Sequence, residues 1–420
     1  MKSAKYKIKT DVAIIGAGPA GSALSILLSQ KGINHILFEK ESFPRDKICG
    51  DGLSGKVVSY LKKIDPSIIY ELEADKNRVN PSWGVRFVAP NGKGVDIPFY
   101  LNHEKKDHAP GYVIKRFDFD EILYKRVKTN HAKIKDQTEV KTIQIVNDNV
   151  LLEGKNADQT VSCQAKMVIG AEGDRSIVAK KLANLSLQPE HYFAGLRTYY
   201  ENVTGMHEQN YIELHFIRDL LPGYFWIFPL PNNQANVGLG LLTNHIKTKN
   251  INLKKTLLKI INENEHIKSR FKNARLIDEP KGWGLPLGSL KRPLSGERFL
   301  LIGDAGALID PLTGEGVGNA LQSATVASEI ILEAVGNGDF SATMLQQYDQ
   351  RLYDELWDEL RLSANIRRLV QMPWLFNFVF NRFHKNKGMQ ELFSGMLNDI
   401  DLRAKLWSPS FYMKILFNRE

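Results

Sequence analysis

Cysteine is scarce. The 420-residue chain has two, Cys49 and Cys163, too few for a disulfide framework or a cysteine-built zinc site, so no metal centre is expected. The two thiols fit a reducing compartment. Long apolar runs are also missing. None approaches the ~18–20 residues needed to span a bilayer. The basic start, with Lys2, Lys5, Lys7 and Lys9, leads into a glycine-rich turn, not the apolar core of a signal peptide. No internal repeat or low-complexity segment is visible, and 17 prolines are too few for a fibre. The expected location is cytoplasmic, at most peripheral at the inner face of a membrane. What is present is an ordinary globular composition, 43% hydrophobic and 25% charged. At ~100–200 residues per domain the chain has room for two or three domains. Lys and Arg total 56 against 47 Asp and Glu, a net +9. That balance admits nucleic acid, an anionic membrane or an anionic cofactor and selects none of them.

The first forty residues are more selective. Asp11 to Ile15 is a short apolar run of the kind used by a buried parallel strand. Gly16-Ala17-Gly18-Pro19-Ala20-Gly21 follows at once, then a helical pattern from Ser22 to Lys31 with Gly32 placed to end it, then a second strand from Ile33 to Phe38 with Glu39 and Lys40 at its end. Gly16 permits a sharp turn, Gly18 a close backbone approach to a pyrophosphate, and Gly21 close packing of helix on strand. The helix N-terminus offers free N–H groups and a positive dipole end to phosphates. Glu39 is placed to accept hydrogen bonds from a ribose. The spacing of strand, helix, strand and acid points to dinucleotide binding.

Two later units repeat the strand-then-glycine design. Lys166 to Lys180 reads as strand, tight turn and helix, with Gly173-Asp174 in the turn and Ser176 as cap. Glu297 to Gly306 is a strand ending in Gly303-Asp304. Pro311-Leu312-Thr313-Gly314-Glu315-Gly316-Val317-Gly318 then opens a helical pattern reaching about Val335. In this order the three units resemble the flavoprotein hydroxylase class of FAD enzymes. The resemblance implies that Asp304 binds FAD hydroxyls, that the Gly314–Asn319 turn lies beside the isoalloxazine, and that Arg116 contacts FAD. A helix N-terminus there would stabilise negative charge on the reduced flavin. No second GxGxxG unit is present, so an external electron donor, NAD(P)H or a ferredoxin-like protein, must approach transiently; the sequence does not name it.

Two more segments narrow the class. Lys47-Ile48-Cys49-Gly50-Asp51-Gly52-Leu53 follows Arg45, and Tyr224-Phe225-Trp226-Ile227-Phe228-Pro229 precedes Asn236 to Gly240. Together they resemble the geranylgeranyl reductase family of FAD-dependent enzymes, over about residues 8–335. The resemblance implies reduction of C=C bonds in a polyprenyl chain by hydride from flavin, with a proton delivered to the neighbouring carbon. Cys49 is the candidate proton donor or nucleophile, and Arg45 and Gly50 join the expected FAD contacts. An apolar substrate needs an aromatic, dry tunnel. In a strand, alternate residues share a face, so Tyr224, Trp226 and Phe228 would line it.

The expected fold is α/β. A discontinuous Rossmann-type FAD-binding domain (1–80, 107–185 and 282–335) carries an inserted, mostly antiparallel β-sheet substrate domain (81–106 and 186–281). A helical C-terminal region (336–420) follows. Within it, 366–388 interleaves Arg367, Arg368, Arg382, Lys385 and Lys387 with aromatic residues, a pattern suited to peripheral membrane contact. No nucleic-acid motif appears, so that partner is not expected. The main alternative is a monooxygenase or halogenase acting through a C4a-hydroperoxyflavin. A halogenase also needs a lysine, for which Lys56 and Lys62 are positioned but lack a motif. A third reading is a non-catalytic FAD or quinone electron carrier.

Overall fold

The run Val12 to Ile15 is buried along its whole length, because the strand Ile8–Ile15 sits inside a sheet covered on both faces. The computed structural model describes residues 8–99, 108–127, 129–157 and 159–371. This strand pairs in parallel with His35–Phe38 on one side and with Gln159–Gly170 on the other. Ala132–Lys135 and Phe299–Leu301 extend the parallel run. The helices Pro19–Gln30 and Val317–Asn337 pack on the same face of this sheet and on each other. Gly338 ends the second helix at φ +66, a conformation that favours glycine.

A second sheet lies over the edge of the first. It runs Arg275–Leu276, Tyr192–Glu201, Gln234–Leu242, Tyr224–Leu230, Ile212–His215, Gly84–Val88 and Gly94–Pro98. All its neighbours are antiparallel except the pair Ile212–His215 with Gly84–Val88. Within Tyr224–Leu230 the expected alternation holds. Phe225 and Ile227 enter the core against the helix Leu253–Glu263, while Tyr224, Trp226 and Phe228 belong to the opposite face.

One boundary differs from expectation. The strand Lys281–Pro286 pairs antiparallel with Tyr192–Glu201, so it belongs to the second sheet and the return to the first layer comes after it. The chain passes between layers without a loop of distinctive composition, which hid the junction. The helix Ala342–Val370, in the expected helical C-terminal region, packs into the first layer. Leu345, Tyr348, Leu352, Leu356 and Leu360 recur every three or four residues, are fully buried, and join the core of the first layer. Tyr348 donates to the carbonyl of Leu301 at 3.0 Å. Most of the basic 366–388 segment and the N-terminal lysines 2, 5 and 7 lie outside the described residues. Among the described residues no helix is long and apolar enough to cross a membrane.

Candidate active site

The glycine turn shows why it is glycine. Gly16 has φ +96, and a Cβ there would meet the carbonyl oxygen of Ala171 at 2.5 Å. A Cβ on Gly21 would come within 1.8 Å of the Gly16 oxygen. Gly18 differs: only the Arg45 guanidinium, at 3.7 Å, lies near its missing Cβ, and it faces a cavity of 990 Å³. The turn is therefore packed from behind and open in front, as an anion cradle at a helix N-terminus requires. Glu39 is 4% exposed and accepts from the Ala17 amide at 2.8 Å and the Glu41 amide at 3.0 Å. It sits at the cavity wall beside Lys40.

Arg116 is buried and forms a two-pronged pair with Asp120 at 2.5 and 2.8 Å. Burial opposes its charge, but Asp120 outweighs burial and holds the guanidinium well above its ordinary value. Arg45 meets the same carboxylate at 3.0 Å. Both arginines reach the cavity, so Asp120 fixes two cations in its wall. Asp120 was not singled out from the sequence, although its position four residues after Arg116 on one helix is a readable pairing signal.

Asp304, Gly314, Gly316 and Val317 line the cavity, and so do Ala20, Cys49 and Gly50. Gly21, Gly303, Pro311 and Gly318, expected as cofactor contacts, are not among its lining residues. The three glycines among them are tightly packed. A Cβ on Gly303 would meet Ala20 and Ala320 at 3.2 Å, and one on Gly318 would meet the Glu315 carboxylate at 2.5 Å. Burial raises the Asp304 carboxyl above its ordinary value, against the pull of Lys47 and Arg116.

Beyond Gly316 the wall turns apolar. Tyr224, Trp226 and Phe228 line this end with Phe87, Phe216 and Leu312. Gly50 and Gly52 pack on the Phe228 ring, where any Cβ would lie 3.0–3.2 Å from it. The loop carrying Cys49 is thus pressed against the aromatic wall. Asn236 clamps it. Its Nδ2 donates to the Cys49 carbonyl and to the Asp51 carboxylate, both at 2.8 Å, and its Oδ1 accepts from the Trp226 indole at 2.8 Å. Asp51, fully buried at φ +66, also accepts from Tyr199 at 2.7 Å. Burial pushes its carboxyl up to about 6. The sequence places Asn236 and Asp51 in the two motifs, yet their meeting across 185 positions has no local signal.

Cys49 lines the cavity together with Arg116, Lys47 and Tyr224. Cys163 is fully buried in a strand, and burial pushes its thiol up to about 12, as suits a packing role. Tyr224 donates its hydroxyl to the Thr313 carbonyl, and burial raises its phenol. Lys62 is exposed. Lys56 is buried but committed: its ammonium donates to Asn319 at 2.5 Å and pairs with Glu359 at 3.2 Å.

The residues fit FAD. Besides the open cradle at Gly18, the cavity wall holds an orphan: Lys47 Nζ is buried without a hydrogen-bond partner, 3.4 Å from the centre of the Trp283 ring. Burial lowers its ammonium to about 8 against the attraction of Asp304. Acceptor atoms brought by FAD would restore the charge, so binding takes up a proton above that value. FAD affinity should accordingly be constant below pH 8 and fall above it, by up to about tenfold per pH unit. Flavin titrations of the apoprotein between pH 7 and 10 check this, and Lys47→Met should flatten the profile.

Residues 9–361 match the family model described as FAD binding domain. The digeranylgeranylglycerophospholipid reductase of Methanosarcina acetivorans is 29% identical, over 83% of this chain and 80% of its own. A second reductase of that name from Methanosphaera stadtmanae is 29% identical over 81% and 82%. In three dimensions the chain resembles a geranylgeranyl bacteriochlorophyll reductase-like protein from Thermoplasma acidophilum. The TM-score is 0.79, with 22% identity and coverage of 95% and 98%. A flavin-dependent brominase shares the fold at a TM-score of 0.78, with 20% identity and coverage of 97% and 98%.

Proposed function

The chain belongs to the FAD binding domain family, and from that premise we propose that it is a geranylgeranyl reductase-like, FAD-dependent oxidoreductase that reduces C=C bonds of an isoprenoid lipid. One observation carries the reading. One cavity is lined both by Gly16, Gly18, Glu39 and Asp304 and by Tyr224, Trp226 and Phe228, with Cys49 also in its wall.

Bound FAD supplies the hydride in this chemistry. The protein's own residues do the rest. The aromatic wall holds the hydrocarbon and keeps water away. Cys49 delivers a proton to the carbon next to the one that receives hydride, so one H2 is added across the double bond. The cations of Arg116 and Lys47 beside the sulfur stabilise the thiolate left behind, which is reprotonated from solvent. Tyr224 is a poorer donor, since its hydroxyl is already given to Thr313 and its phenol is raised by burial. The electron donor, NAD(P)H or a ferredoxin-like protein, meets the flavin from outside the chain.

The test is a single turnover. The flavoprotein is reduced without oxygen and mixed with a geranylgeranyl-bearing phospholipid. The visible flavin band should return as the lipid gains one H2 per flavin reoxidised, seen by mass spectrometry. Cys49→Ser should keep its flavin and slow this return at least about a hundredfold, in the range of a lost general acid. Normal reoxidation in that variant rules out the thiol. Failure of the wild type to reoxidise with any polyprenyl lipid rules out the reductase.

A further inference from the structure

Behind the apolar end of the cavity, cationic side chains gather with little acid to balance them. Arg292 and Arg367 are 7% and 6% exposed. Arg292 Nη1 donates to the carbonyls of Leu287 and Leu290 at 3.2 and 3.3 Å, but its Nη2 is buried without a partner. Arg367 is worse served, with Nε and Nη1 both buried and unpartnered. His191, held through Nδ1 by Ser289 at 2.7 Å, lies among them. Its imidazole is held below its ordinary value by burial and then by Arg292, Arg367 and the exposed Arg368. Arg367 is itself drawn down to about 10 by burial and by Arg368.

Two acids are near. Glu190 is exposed at the protein surface. Asp310 opposes the shift of Arg367, but its Oδ1 already accepts from the Leu312 and Thr313 amides and the Thr313 hydroxyl at 2.8–3.0 Å. Burying a guanidinium without a carboxylate is costly, and native proteins leave few such groups unsatisfied. Three unpartnered nitrogens on two buried arginines call for an anion, and the guanidinium fork matches the oxygens of a phosphate.

The cluster stands one side chain away from the cavity. Leu362, Ser363 and Ile366 line the apolar end, and Arg367 follows on the same helix. Its guanidinium lies 5.8 Å from the centre of the Phe193 ring. Phe193 packs with Leu285 and Ile309, which line the cavity on their other side.

We propose that His191, Arg292 and Arg367 form a phosphate-binding site that holds the head of an amphipathic substrate whose hydrocarbon lies along the aromatic wall. The assignment of that head to the substrate rests on the reductase reading; the anion site itself does not.

Two measurements on the FAD-loaded enzyme separate these claims. The first is calorimetric titration with inorganic pyrophosphate. Arg367→Gln should weaken binding about tenfold or more, in the range of a lost charge-assisted hydrogen bond, with Arg367→Lys intermediate and flavin content equal in all three proteins. The second compares geranylgeranyl diphosphate with geranylgeraniol. The ratio of their kcat/KM values should fall about tenfold in Arg367→Gln, through KM. Unchanged pyrophosphate binding overturns the site. Weaker pyrophosphate binding with an unchanged ratio overturns its role as a headgroup site and leaves a free anion as ligand. If the wild type reduces neither compound but Arg367→Gln still loses pyrophosphate, the anion site stands and its role as a headgroup site for these polyprenyl compounds falls.

Discussion

Gly21→Ala is expected to purify without flavin. Its Cβ would stand 1.8 Å from the Gly16 oxygen and 3.3 Å from the Ala171 Cβ, so the turn or the helix must move by more than an ångström. Neither has room. Gly16 is itself held against the backbone of Ala171 and Glu172, and the helix Pro19–Gln30 is buried along most of its length. Overpacking of this kind costs about 1–3 kcal/mol or more. The movement that relieves it displaces the N–H groups that cradle the phosphates, and an FAD affinity loss of at least about a hundredfold follows. Gly32→Ala is the matched control. Gly32 has φ +71 but nothing within 4 Å of its missing Cβ, so the change costs about 1 kcal/mol of backbone strain and leaves the flavin in place. The ratio of visible flavin absorbance to protein absorbance reads both. A yellow Gly21→Ala protein with normal flavin occupancy would contradict the cradle.

Asn236→Leu should destabilise the fold by about 4 kcal/mol and cut turnover, because three buried groups lose their partner and each unsatisfied group costs about 1–3 kcal/mol. The Trp226 indole, the Cys49 carbonyl and the Asp51 carboxylate all depend on this one amide. Asp51 keeps Tyr199 and the Arg116 amide, so its loss is partial. The effect depends on pH, with a definite sign. The Asp51 carboxyl sits at about 6 in the native protein, above its ordinary 3.8. The folded state therefore holds the proton more tightly than the unfolded state. The cost of burying the carboxylate is complete above pH 6 and is relieved as pH falls through that value. Removing the amide raises the carboxyl further, so the deficit of the variant should be larger at pH 8 than at pH 5. Thermal unfolding at the two values measures it. An equal deficit at both would remove Asp51 from the explanation.

Much of the cofactor site was legible because each part is local. Strand, glycine turn, helix and acid occupy one stretch of chain, and their chemistry is set by backbone geometry that a few residue types permit. The alternation of Tyr224, Trp226 and Phe228 was legible for the same reason, since strand period alone assigns faces. Gly21 was read as the glycine that packs helix on strand, and its missing Cβ is crowded as that reading expects; Gly303 and Gly318 are crowded too, which a motif alone does not record. The helix Ala342–Val370 was expected as part of a helical C-terminal region; its apolar stripe shows that it must pack but not on what, and the structure packs it into the core of the first layer.

From the amino-acid order alone came the dinucleotide-type fold, the FAD assignment, the aromatic strand face and Cys49 as the residue to watch. The fold and the strand face follow from short-range periodicity and the steric demands of glycine; the FAD assignment and Cys49 came from the resemblance of the motifs to flavoprotein families. Tertiary structure alone decided which charges meet. Asn236 bridging both motifs, Lys56 bound to Glu359, Lys47 left without a hydrogen-bond partner, and Arg292 and Arg367 set near His191 with unpartnered nitrogens all involve residues distant in sequence. Coulomb and hydrogen-bond energies depend on distance and burial in space, and neither is written in the spacing of residues along a chain.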